Sequence, residues 1–276
     1  MTEIFRQLKE KFIMKNARED WKDYRKALTA LVNEFAGESI AVIGAGRCND
    51  IELAELRFDR ITLIDVDAAA MREAVNDLPA EVRGKISLTE TSLTGITEQD
   101  MEAFCRQILD FLSERGRDLS ADTFDAVLNN ALDRLFEKAL LAGQMLTYAI
   151  PKAHYDVILC NGVCSQLFSM VLFFVRSVAH SVASVLPEAI KIAERVEKRL
   201  SGMNERLIPD ITGTIAAGAK KAAIYGNEDP ENAPVEGAHQ SIRFLRETYE
   251  PEERILQWNF NAAEQVKYRM RIQIVN

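Results

Sequence analysis

The chain is short of the residues that build disulfide frameworks and metal centres: 276 residues include four cysteines and three histidines. Cys48, Cys105, Cys160 and Cys164 contain no CxxC pair, and no histidine stands at zinc spacing beside them. Reduced thiols and no bound metal are therefore expected, with Cys48, Cys160 and Cys164 as small packing residues rather than nucleophiles. Positive charge is also in deficit. With 34 basic against 42 acidic residues the formal charge is -8, a field that repels a long polyanion and argues against nucleic acid as a substrate. Long apolar runs are missing too. The most apolar stretch, LFSMVLFFV over Leu167 to Val175, is soon broken by Arg176 and His180, and it falls well short of the ~20 residues a membrane span needs. It reads as a buried helix, and no membrane partner is expected. The opening MTEIFRQLKEKFIMKNARED alternates charge with apolar residues and lacks the core and cleavage site of a signal peptide, so a cytoplasmic location is expected. There is no internal repeat and no low-complexity tract.

What is present suffices for a large core. Hydrophobic residues make up 47% of the chain, enough for one elaborated domain or a domain with an appended cap. Residues 4–36 carry Phe5, Leu8, Phe12, Trp21, Tyr24, Leu28, Leu31 and Phe35 at helical spacing among charges, which predicts two amphipathic helices. Ser39 to Ile43 then reads as a strand, followed by a tight loop and a helix over Asp50 to Leu56. A second strand is expected at Ile61 to Val66, a helix from Ala68 to Leu78, and a short third strand at Ile86 to Thr89.

Two helical patterns, Glu98 to Arg115 and Thr123 to Tyr148, precede a fourth strand at Tyr155 to Cys160. Helices are then expected over Ser165 to Leu186, Pro187 to Leu200 and Asp210 to Lys221, and a fifth strand at Ala222 to Tyr225. Gly226 to Gly237, GNEDPENAPVEG, reads as an exposed loop before a helix at His239 to Tyr249. The chain closes on two β-rich runs, Arg254 to Phe260 and Val266 to Val275, which predict an antiparallel hairpin. Alternating strands and helices call for an α/β, doubly wound, mostly parallel sheet with helices on both faces. The expected organisation is a helical extension over 1–37 and a main domain over 38–276, with helical insertions around 95–154 and 163–220.

The chemistry concentrates in IAVIGAGRCNDIEL. Gly44 and Gly46 directly follow strand one, where missing β-carbons allow a sharp turn and close approach to a ligand. Asp65, about twenty residues beyond the first glycine, is placed at a strand tip where a carboxylate accepts hydrogen bonds from ribose hydroxyls; Asp67 is a second candidate. These features also suit a nicotinamide or flavin protein. Asn49 at the third glycine of GxGxxG, and Asp50 and Glu52 at the expected helix start, disfavour a pyrophosphate but not the ammonium of a methionine tail. Simple helix capping is the competing role for Asn49 and Asp50.

Through IAVIGAGRCND, LIDVD, YDVILCNGVCSQL and the closing hairpin, the sequence resembles the class I S-adenosylmethionine-dependent methyltransferases, whose sheet is seven-stranded and Rossmann-like. It departs from them in lacking an acidic residue before the glycine loop, and the third glycine is Cys48 or Asn49. The resemblance implies S-adenosylmethionine as cofactor. Gly44, Ala45 and Gly46 would border its methionine part and Asp65 its ribose, with Val66 and Asp67 beside the adenine. Thr91, Ser92 and Leu93 would edge the adenine, and Asn161 and Gly162 would lie under the sulfonium. No catalytic side chain is implied, because methyl transfer needs alignment above all; His154, His180 and His239 form no constellation and are expected to be structural or surface residues. The oversized insertions are expected to supply acceptor contacts, a lid or the interface of a homo-oligomer, and their Leu, Phe and Met content favours a small acceptor. The rivals are an NAD(P)-dependent oxidoreductase and a non-catalytic nucleoside-binding protein.

Overall fold

The computed structural model describes residues 3–35, 37–116, 118–231, 233 and 235–276. The chain partitions into two compact units, one of Met1–Ile13, Thr94–Ala142 and Gln166–Leu207, the other of Met14–Leu93, Gly143–Ser165 and Ile208–Asn276.

The second unit holds the sheet. Helices α2 (Ala17–Asp20) and α3 (Lys22–Val32) precede β1 (Ser39–Ile43), β2 (Arg60–Asp65), α4 (Ala68–Asn76), α5 (Ala80–Arg83) and β3 (Ile86–Glu90). After β4 (Tyr155–Asn161) come β5 (Ala219–Glu228), helix α10 (Glu236–Tyr249), β6 (Glu252–Asn261) and β7 (Val266–Val275). The seven strands lie in the order β3-β2-β1-β4-β5-β7-β6. All neighbours are parallel except β7, which runs antiparallel to both β5 and β6. The order reverses between β1 and β4, and ligands of open α/β sheets bind outside the strand tips at that reversal.

Burial explains the strand composition. SIAVI of β1 and YDVILCN of β4 are buried at every position, as central parallel strands covered on both faces must be. The edge strand β3, ISLTE, has no buried position. On one face Leu28, Val42, Leu63, Leu159, Ile224 and Ile272 belong to a single apolar cluster. Helix α3 packs against β6, where Tyr24 stacks on Trp258 at 5.2 Å and Trp21 meets the same ring edge-on at 4.8 Å.

The first unit is helical. Helix α1 (Glu3–Phe12) packs against α6 (Glu98–Arg115) and α8 (Ser169–Val182), with Phe12 edge-on to Phe173 at 5.3 Å and Phe104 to Phe174 at 5.8 Å. A reciprocal Thr97 and Asp100 capping box starts α6. The long helices α7 (Ala121–Ala149) and α9 (Ala189–Gly218) are joined within this unit by Arg199, which bonds Asn129 and Asp133. The apolar stretch after Leu167 forms α8, with Val171, Phe174, Val175, Val178 and Ala179 buried. Among the described residues no helix is long and apolar enough to cross a membrane.

Several sequence expectations need correction. The helix expected over Asp50 to Leu56 is a 3-10 turn at Leu53–Glu55; its apolar residues Ile51, Leu53 and Leu56 are buried without a continuing helical ladder. The two N-terminal helices are three, because α2 and α3 are separate at Trp21. The helices expected at Pro187 to Leu200 and Asp210 to Lys221 are one helix, α9, with Pro209 inside it. Proline removes one hydrogen bond and crowds the preceding turn, but Leu207, Ile208, Ile211 and Ile215 are all buried at helical spacing, and that packing outweighs the local penalty. Strand β5 runs on through Gly226, Asn227 and Glu228, which had read as loop, because β7 pairs with all three and β4 with Gly226.

Candidate functional site

The chain leaving β1 turns at once toward β2: the amides of Gly44 and Ala45 both donate to the carbonyl of Ile64, at 2.8 and 3.3 Å. Gly44 has φ +66°, and a β-carbon there would overlap a methyl of Val163. Gly46 (φ +47°) and Cys48 (φ +51°) are also left-handed. Cys48 closes the turn by donating its amide to Ala45 O at 2.7 Å, in a left-handed conformation that a residue with a β-carbon adopts at a cost. Its thiol is buried, and that burial, with Asp50 and Asp65 nearby, holds it protonated well above the usual thiol range.

Asp65 ties three strand tips together. Its Oδ2 accepts from the amide of Gly46 at 2.9 Å and its Oδ1 from the amide of Asp67 at 2.7 Å. Its carbonyl accepts from Thr91 at 2.9 Å, bringing the β3 tip alongside. Ser92 and Leu93 follow, both half-buried, and Val66 is exposed. Asp67 also caps α4, its Oδ1 accepting from Ala70. Gly44, Ala45, Gly46, Asp65 and Asp67 thus share one locus.

Asn161 and Gly162 form the β4 tip, next to β1. Asn161 lies across Gly226 of β5, where any β-carbon would overlap its Oδ1. That oxygen accepts from the Tyr24 hydroxyl at 2.7 Å, and the amide nitrogen donates to Asp50 at 2.6 Å. Burial raises the Asp50 carboxyl above the ordinary carboxylate range, against the lowering by Asn161 and Arg25. The chain from Tyr24 through Asn161 to Asp50 therefore fastens α3 beneath the glycine turn. Asn49 and Asp50 do not cap a helix, since none follows: Asn49 presents its carbonyl to Arg25 at 3.0 Å. Arg25 also binds Glu52 at 3.0 Å and the carbonyl of Arg18 at 2.8 Å. With only a three-residue 3-10 turn after the loop, there is no α-helix N-terminus of the kind that receives a pyrophosphate.

Sequence reasoning did not single out Tyr24, Arg25 or the pairing of Asp50 with Asn161. In the sequence Tyr24 is one more apolar position of an amphipathic helix, and no spacing rule links it to a residue 137 positions away. Of the histidines, His154 and His180 are exposed, and His239 is half-buried with Nε2 at 2.8 Å from the Ala233 carbonyl. Among the described residues no three His, Cys, Asp or Glu side chains gather as metal ligands.

No family model matches the sequence, and no curated protein sequence matches it. Solved structures do. The N-methyltransferase NodS from Bradyrhizobium japonicum WM9, in complex with S-adenosyl-L-homocysteine, aligns at 11% identity over 99% of this chain and 98% of its own, with a TM-score of 0.50. A putative S-adenosylmethionine-dependent methyltransferase from Listeria monocytogenes aligns at 10% identity over 95% and 99%, with a TM-score of 0.44. The methyltransferase domain of a bacterial Hen1, CtHen1-C, aligns at 11% over 94% and 98%, at 0.43. The NodS alignment spans both chains nearly whole, and together with the strand order it shows that this chain has the fold of the class I S-adenosylmethionine-dependent methyltransferases.

Proposed function

We propose that the protein is an S-adenosylmethionine-dependent methyltransferase acting on a small-molecule acceptor. The observation that carries this reading is the tie between the glycine turn and the β2 tip, where Asp65 holds Gly46 and Asp67 through separate oxygens. That tie presents a rigid carboxylate and an exposed backbone turn at the reversal of strand order, which suits a nucleoside. A carboxylate oxygen can accept more than one hydrogen bond, and a carboxylate at a strand tip suits a ribose diol. Gly44, Ala45 and Gly46 would border the methionine part, Val66, Asp67, Ser92 and Leu93 the adenine, and Asn161, Gly162 and Asn49 the region beneath the sulfonium.

The cofactor supplies an electrophilic methyl group on a positively charged sulfur. The residues at the strand tips would hold the reactants in line and exclude water, which is most of what such a displacement needs. The dinucleotide alternative loses support because the glycine turn leads into no α-helix. Buried, unpaired cysteines suit a reducing cytoplasm.

Titration calorimetry with S-adenosylmethionine, S-adenosylhomocysteine and NAD tests the reading. Micromolar binding of the sulfur nucleosides, absent for NAD and lost in Asp65→Ala, is the expected result; binding of NAD alone, or of none, overturns it.

A further inference from the structure

Beside the nucleoside locus, at the tip of β5, lies a carboxylate that the reading above does not use. Glu228 is 4% exposed. Its Oε1 lies 3.0 Å from the Ser165 hydroxyl, and its Oε2 is shielded from solvent and meets no hydrogen-bond partner. A buried polar atom left unpaired carries a desolvation cost that folded proteins rarely tolerate without a use. The Ser165 hydroxyl is also 3.1 Å from the Gly162 carbonyl, and its one proton cannot serve both acceptors fully. With Glu228 protonated, the carboxyl donates to Ser165 and Ser165 donates to Gly162. With Glu228 ionised, Ser165 turns its proton to the carboxylate. The site therefore has two internally consistent protonation states, and in both Oε2 stays shielded from solvent without a hydrogen-bond partner.

Its surroundings suit a cation. Tyr24 of α3 and Tyr268 of β7 lie close enough to feel the Glu228 charge, and Tyr24 stacks on Trp258, with Tyr268 against the same indole. No arginine or lysine pairs with Glu228 among the described ion pairs; the arginines of β7, Arg269 and Arg271, are taken by its neighbour Asp229. The other ionisable groups facing it are Cys164, after β4, and His239 of α10. Burial raises the carboxyl above its ordinary range, as befits an acid awaiting a positive partner.

We propose that Glu228, positioned by Ser165, binds the ammonium or amine group of the acceptor and takes its proton. In that step an N–H bond of the ammonium breaks, an O–H bond forms at Oε2, and the nitrogen keeps the freed electron pair as its nucleophilic lone pair. The acceptor is then a primary or secondary amine rather than an alcohol or a carbon acid. This assignment rests on the methyltransferase reading for its purpose, although the binding itself does not require it.

The test uses the full chain, titrated calorimetrically with n-butylamine, butan-1-ol and tetramethylammonium, with and without S-adenosylhomocysteine, in buffers of different ionisation enthalpy. Because the proton passes from the ammonium to Glu228 inside the complex, butylammonium is expected to bind the ionised site with no net proton exchange with buffer while the protonated-carboxyl infrared band grows; tetramethylammonium, having no N–H to give, leaves that band unchanged. Butanol and the Glu228→Gln variant should each lose about tenfold or more in affinity, since a hydrogen bond to a charged group is at stake. Difference infrared spectra should show the band of a buried protonated carboxyl change on butylamine binding and be absent in Glu228→Gln; Ser165→Ala, which keeps the carboxyl, serves if that variant does not fold. No butylamine binding, equal binding of butanol, or indifference to both variants overturns the assignment. Failure of S-adenosylhomocysteine to bind while butylamine still binds through Glu228 would instead sink the methyltransferase reading and leave the amine site standing.

Discussion

Removing a single oxygen, in Tyr24→Phe, tests whether the chain from α3 to the β4 tip holds the site together. Tyr24 is 1% exposed, its hydroxyl donates to Asn161 Oδ1 at 2.7 Å, and its ring stacks on Trp258 at 5.2 Å. Phenylalanine keeps the stacking and the apolar burial, so the loss is confined to one hydrogen bond and the acceptor it leaves behind. Asn161 is itself only 9% exposed, so that acceptor regains little water, and the cost should be ~1–3 kcal/mol. For a chain of this size a 2 kcal/mol loss lowers Tm by about 4–8 °C. Urea unfolding followed by tryptophan fluorescence measures it directly, because Trp258 stacks on Tyr24 and Trp21 meets Trp258 edge-on. The midpoint should fall with the slope unchanged. Combined with Asn161→Ala in a double-mutant cycle, the coupling should be roughly 1–2 kcal/mol, as for residues in one network. A loss under ~0.5 kcal/mol with no coupling would refute the idea that this bond anchors the site.

Three further outcomes are expected. Gly226→Ala should displace Asn161, since the new methyl overlaps its Oδ1 and the sheet backbone cannot yield; a loss of about 2–4 kcal/mol, with weaker S-adenosylhomocysteine binding, is read by thermal unfolding and calorimetry. Asp50 has its carboxyl raised in the fold by burial, so the folded state holds its proton more tightly than the unfolded chain does. Its favourable contribution is complete below the ordinary carboxylate pKa and fades as pH rises through the raised one; Asp50→Asn should flatten the decline in stability over that window, and an unchanged slope would count against it. Glu253 behaves oppositely: hydrogen bonds from Arg246, Arg271 and Gln273 lower it to about 2. Its contribution is present above the ordinary value and is lost as pH falls toward 2, so Glu253→Gln should cost ~1–2 kcal/mol at neutral pH and little under strongly acid conditions, measured by urea midpoints at both.

The sequence by itself determined the class of fold and the place of the glycine turn. Both are written locally: SIAVI and YDVILC are continuous apolar runs that only buried parallel strands accommodate, and Gly44 and Gly46 follow the first of them directly. The alternation in VKYRMRIQIV announced the closing hairpin for the same reason, since a period of two is visible without knowing the partner strand. Tertiary structure decided where local preference and packing disagree. Pro209 reads as a break and lies inside α9 because the surrounding apolar residues are buried as one helix. Gly226 and Asn227 read as loop and form strand because β7 pairs with both and β4 with Gly226. Asp50 reads as a helix cap and is instead a half-buried partner of Asn161, 111 residues away. Tyr24, Asp50, Asn161 and Glu228 gather at the strand tips only once the sheet is assembled, because contacts between residues this distant in the chain leave no period or spacing in the sequence.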